Sequence, residues 1–128
     1  MSDYWGPLQM HDKTTQILDV QPYEPGHHFR RPFMTPYQIA IKFEENFPTE
    51  FNTIGKRVGG KDTGRHDSLA QYIALELSKR IKSREIINIE GRFLSRDYLD
   101  IIRYKYEGGP IVSSSGQAYD LSMFRRID

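Results

Sequence analysis

The sequence predicts an α+β domain: two principal helices followed by a three- to four-stranded antiparallel sheet, with an extended N-terminal arm. Three observations predict it. Two segments, at Thr35 and at Ser68, carry helix-start signals ahead of apolar residues spaced three and four apart. From Tyr98 onward the composition turns to aromatic and β-branched residues broken by glycine turns. Helices gathered before strands, rather than alternating with them, are the order of an α+β fold and not of a βαβ one.

Size and composition fit one such domain. A chain of 128 residues supports a single modest core, and 38% apolar with 27% charged residues is the balance of a folded protein. Residues 1–34 read as the arm and 35–128 as the domain. The arm is broken by Pro7, Pro22, Pro25, Gly26 and Pro32, and Tyr4, Trp5, Tyr23, Phe29 and Phe33 lie in it without period. Aromatics in that number predict an arm that lies on the domain or on a second subunit. Within it, Thr14 to Val20 has the composition of one short strand.

The first helix starts with Thr35 as N-cap, Pro36 at the first helical position and Gln38 closing a capping box. Tyr37, Ile39, Ala40, Phe43 and Phe47 form its apolar face, and Pro48 stops it. Phe51 and Ile54 anchor the short stretch that follows. The second helix spans roughly Ser68 to Lys82, with Ser68 and Gln71 as its capping box and Leu69, Tyr72, Ile73, Leu77 and Ile81 on its apolar face. Glu76 and Arg80 form an i, i+4 pair, and Lys79, Arg80 and Lys82 sit where the helix dipole favours cations. Glu85 to Phe93 is a short strand or an apolar connection. Tyr98 to Tyr106, Pro110 to Ser113 and Ala118 to Arg126 then read as a three-strand meander, to which the arm can add a fourth strand.

Between the helices runs Gly55-Lys56-Arg57-Val58-Gly59-Gly60-Lys61-Asp62-Thr63-Gly64-Arg65-His66. Residues 55–84 hold eight bases against three acids, whereas residues 1–29 hold one base against four acids. A basic, glycine-rich loop that opens onto a helix N-terminus has the makings of an anion site. Its candidate residues are Lys56, Arg57, Gly59, Gly60, Lys61, Gly64, Arg65 and Ser68. Gly55, Gly60 and Lys61 match the start of a nucleotide-binding P-loop, but Asp62 stands where a hydroxyl must meet magnesium, and no buried strand precedes the loop. Both departures argue against an NTPase reading.

Other constellations are weaker. His66, Asp67 and Ser68 are adjacent, whereas a working triad is assembled from distant positions, and Ser68 is better explained as a cap. His27 and His28 lack the spacing of helical metal ligands, so no metal site is expected, and no cofactor. The absence of cysteine removes disulfides and thiolate chemistry, which suits the cytoplasm. The N-terminus reads as no signal peptide, and the sequence has no apolar run of membrane-spanning length.

The resulting expectation is a small cytoplasmic, bacterial interaction protein without catalytic activity. It is expected to form a homo-oligomer through the arm or the sheet and to contact a nucleic acid or another acidic partner through the loop, with no membrane partner. One alternative is a nucleic-acid-binding regulator, with Tyr98, Tyr104, Tyr106 and Tyr119 stacking bases among neighbouring arginines. The other is a small-molecule binder or enzyme with a pocket between helices and sheet.

Overall fold

The computed structural model describes residues 4–59, 68–112 and 119–128. In chain order the elements are α1 (Met10–Ile17), α2 (Pro36–Asn46), α3 (Pro48–Ile54), α4 (Leu69–Lys82), β1 (Ile89–Leu94), β2 (Arg103–Tyr104), β3 (Ile111–Val112) and β4 (Leu121–Arg126). The architecture is α+β, with four helices and two small antiparallel strand pairs among the described residues.

α2 is the element on which the others assemble. Its capping box forms in both directions: Gln38 N–H donates to Thr35 Oγ1 at 3.4 Å, and Thr35 N–H donates to Gln38 Oε1 at 2.7 Å. Ile39, Ala40 and Phe43 are wholly buried, and α2 packs against α1, α3, α4 and β4. Pro48 ends α2 as expected. It also serves as the first residue of α3, because its fixed φ and missing N–H suit that position. The stretch expected to carry only two core anchors is therefore a two-turn helix.

α1 replaces the strand expected over Thr14 to Val20. Met10, Thr14, Ile17 and Leu18 are all buried, and their spacing is helical. Two signals misled the sequence reading. The β-branched run resembles a strand, and the helix starts without a side-chain cap, from Gln9 in a left-handed conformation at φ 53°. Packing against α2 outweighs both, since tertiary burial overrides weak propensity. Trp5 is only 3% exposed, and the Arg80 guanidinium lies 5.1 Å from its ring centroid. The first part of the arm is thus built into the core.

The strands pair differently from a meander. β4 lies antiparallel to β1, from Ile89 opposite Arg126 to Leu94 opposite Leu121. β2 and β3 form a separate hairpin of two residues each, with Tyr104 opposite Ile111. The long strand expected over Tyr98 to Tyr106 shrinks to Arg103–Tyr104. The arm does reach the sheet: Met34 exchanges two backbone hydrogen bonds of 2.8 Å with Phe124, on the side of β4 away from β1. The hairpin is fixed to the helices by Tyr104, whose ring stacks on Tyr37 with centroids 5.2 Å apart. Among the described residues no helix is long and apolar enough to cross a membrane.

Candidate functional site

Val58 decides the geometry of the basic loop. Its side chain is 3% exposed, packed in the core, so the loop leaves α3 through a fixed point. Around that anchor two backbone bonds form. Leu69 N–H donates to the Arg57 carbonyl at 2.7 Å, and Ala70 N–H donates to the Val58 carbonyl at 2.9 Å. The next amide, Gln71 N–H, donates to Ser68 Oγ at 3.0 Å. These are donors that a helix N-terminus otherwise leaves open. The first three amides of α4 are therefore filled from within the chain, two by the stem of the loop and one by the Ser68 cap.

Gly59 completes the stem. Its φ of 146° lies in a region that side chains disfavour, and a Cβ there would stand 3.2 Å from the Ala70 Cβ and 3.4 Å from a Tyr37 ring carbon. Close approach between the loop and the α2–α4 junction requires glycine at this position. Lys56 is half-buried and Arg57 is exposed, so both cations sit on an anchored strip of chain. The structure thus brings Lys56, Arg57, Gly59 and Ser68 together at the start of α4. Gly60, Lys61, Gly64 and Arg65 lie outside the described residues, as do His66 and Asp67.

A cleft of about 660 Å³ opens beside this strip. Residues 55–59 form one wall and the β2–β3 hairpin, through Gly108, Gly109 and Pro110, forms the other. Among the residues lining the cleft, the Tyr106 hydroxyl donates to Glu44 Oε1 at 2.6 Å. That hydrogen bond, with burial and the nearby charges of Glu44 and Glu107, pushes the Tyr106 phenol up to about 12. Sequence reasoning missed this pair, because Glu44 and Tyr106 are 62 positions apart and nothing local couples them. Lys56, Arg57 and Glu44 all line the cleft, so cations and a carboxylate face the same space.

A second cleft, of about 580 Å³, lies between the Gln21–Arg31 segment and the end of β4, and it is lined by Arg30, Arg31, Arg125 and Arg126. Three of these arginines are engaged inside the protein. Arg31 Nε donates to Asp19 at 3.1 Å, Arg126 Nε donates to Asp128 at 2.6 Å, and Arg125 Nε donates to Glu90 at 2.7 Å. Arg125 also donates to the Phe29 carbonyl at 2.7 Å and lies 4.7 Å from the Phe33 ring centroid. This network clasps the arm to the sheet. His27 and His28 stack with ring centroids 4.4 Å apart.

The four tyrosines of the base-stacking alternative do not share a face. Tyr104 is buried on Tyr37, Tyr106 is bound to Glu44, and Tyr98 and Tyr119 are exposed in connecting segments. No family model, curated protein or solved structure matches the chain.

Two outcomes follow for the site. Gly59→Ala should destabilise the protein by about 1–3 kcal/mol in denaturant unfolding, the cost of a strained backbone and a crowded contact; an unchanged midpoint would remove the wedge from the account. Tyr106 holds its proton more tightly when folded than when unfolded, since its folded pKa of about 12 exceeds the ordinary 10. Its contribution to stability is complete below pH 10 and is lost as pH rises towards 12. Ultraviolet titration should show a late-ionising phenol that Tyr106→Phe removes, with less loss of stability in that window for the variant.

Proposed function

We infer that this chain is a small binding protein, without catalytic activity of its own, that self-associates and holds an anionic partner at the rim of the loop cleft. The observation that carries the reading is the anchored stem. Burial of Val58 and the two bonds to Leu69 and Ala70 hold Lys56 and Arg57 in place, which lowers the entropy cost of ordering cations on a partner. Lys61 and Arg65 follow in the same basic run of sequence. A nucleic acid or an acidic protein supplies the matching charge.

The size of the cleft supports a second reading. At about 660 Å³ it falls within the range of small-molecule pockets, so a small anionic ligand seated between loop and hairpin is the alternative.

Titration with single-stranded nucleic acid and with polyglutamate at low salt tests the first reading. Binding should weaken with added salt, with a log–log slope of about one per phosphate contact for the nucleic acid. Replacing Lys56, Arg57, Lys61 and Arg65 together by alanine should abolish binding while circular dichroism stays unchanged. An unaltered affinity in that variant would take the loop out of the function.

A further inference from the structure

Among the described residues the β1–β4 sheet leaves the outer side of β1 open, and the residues of that edge are complementary to themselves. Both backbone groups of Phe124 are bonded to Met34. Alternation along β4 therefore turns the groups of Met123 and Arg125 towards β1, where the register sets Arg92 and Glu90 opposite them. Glu90, Arg92 and Leu94 direct their backbone groups into the sheet, and Ile89, Gly91 and Phe93 direct theirs outward. Among the described residues no strand lies on that outer side. Among the described residues the Gly91 carbonyl accepts from the Arg92 guanidinium of its own chain, at 2.8 Å. Ile89 is buried, but Phe93 is 71% exposed and Ile87, just before the strand, is 74% exposed. An open edge with exposed apolar residues invites pairing with another strand.

We propose that a second copy of this chain covers the edge, β1 pairing antiparallel with β1 about a two-fold axis at Gly91, so that the two sheets become one of four strands. This rests on the self-association read above and names its surface; it does not depend on the anion contact at the loop. Charge selects both the occupant and the register. With Gly91 opposite Gly91 of the second copy, Glu90 faces Arg92 of the copy and Arg92 faces Glu90, in the close pairs that flank the axis. Ile89 then faces Phe93. Centring the axis on Arg92 or on Glu90 would set like charges against each other, which disfavours those registers. In the chosen register the Gly91 N–H of the copy takes over the carbonyl that Arg92 now caps, and the guanidinium, which stands 3.6 Å from Glu90 of its own chain, turns to the carboxylate across the interface. An isologous contact of this kind closes as a dimer and does not propagate.

Sedimentation of the full chain over a range of concentrations tests the proposal, using the native sequence, Arg92→Glu, Glu90→Arg and an equimolar mixture of the two variants. The native chain should pass from monomer to dimer as concentration rises. Each variant alone should remain monomeric where the native chain is dimeric, and the mixture should recover the dimer because opposite charges face each other again. Amide exchange at Gly91 and Phe93 should slow with concentration, while exchange at Arg92, already bonded to β4, stays constant. A native chain that is monomeric at every concentration overturns both the edge and the self-association reading. A native dimer that Arg92→Glu leaves intact, with Gly91 and Phe93 exchange independent of concentration, overturns the edge alone. Glu90 also pairs with Arg125; should Glu90→Arg fail to fold, Arg92→Glu at its 62% exposed side chain decides the matter together with the exchange data.

Discussion

Burying Ile39, Ala40 and Phe43 requires α2 to be covered on several sides, and the remaining elements are arranged by that requirement. Full burial of an apolar side chain the size of Ile or Phe is worth about 1.5–3 kcal/mol, so this short stripe accounts for a large part of a marginal stability. α1, α3, α4 and β4 each supply a piece of the cover. The hairpin adds another through Tyr104 on Tyr37. Because α1 is one of the covering elements, the arm from Trp5 to Leu18 contributes to the core, whereas most of residues 19–33 are exposed.

The same packing shapes the basic loop. Val58 belongs to the core, so the stem must pass the start of α4, and there its carbonyls meet the helix amides. A feature that resembles an anion site in one dimension is closed at its backbone in three. What the stem presents to the cleft is side chains, among them Lys56 and Arg57. The arginine clasp teaches the same lesson from the other direction. A cleft lined by four arginines looks strongly positive, yet Asp19, Glu90 and Asp128 engage three of them, and the network holds the arm against β4.

What could be read in advance was local. The capping box at Thr35, the Ser68 cap, the apolar face of α4 and the Glu76–Arg80 pair, at 2.9 Å, are fixed by residues within four positions of each other. The α+β class followed from the order of such segments. What escaped was set by distance or by competition between signals. α1 has no cap and a β-branched sequence, so only its burial reveals it. The pairing of β4 with β1 rather than β3 skips the hairpin between them, and the register that decides it spans more than twenty-five positions even at its closest pair, Leu94 with Leu121. At the candidate site, the basic residues were legible from composition. The filled amides, the Gly59 wedge and the Glu44–Tyr106 hydrogen bond were not, because each depends on how two separate segments meet.

The account turns on whether the start of α4 is closed by the stem of the loop. Nuclear magnetic resonance of the backbone amides answers this, with exchange measured in the free protein and shifts followed during titration with a single-stranded nucleic acid. Slow exchange at Leu69, Ala70 and Gln71, with their shifts nearly constant while the Lys56 and Arg57 side-chain signals move, is the result the structure predicts. Fast exchange at those three amides, together with large shifts as the anion is added, would contradict it and return the site to the helix N-terminus.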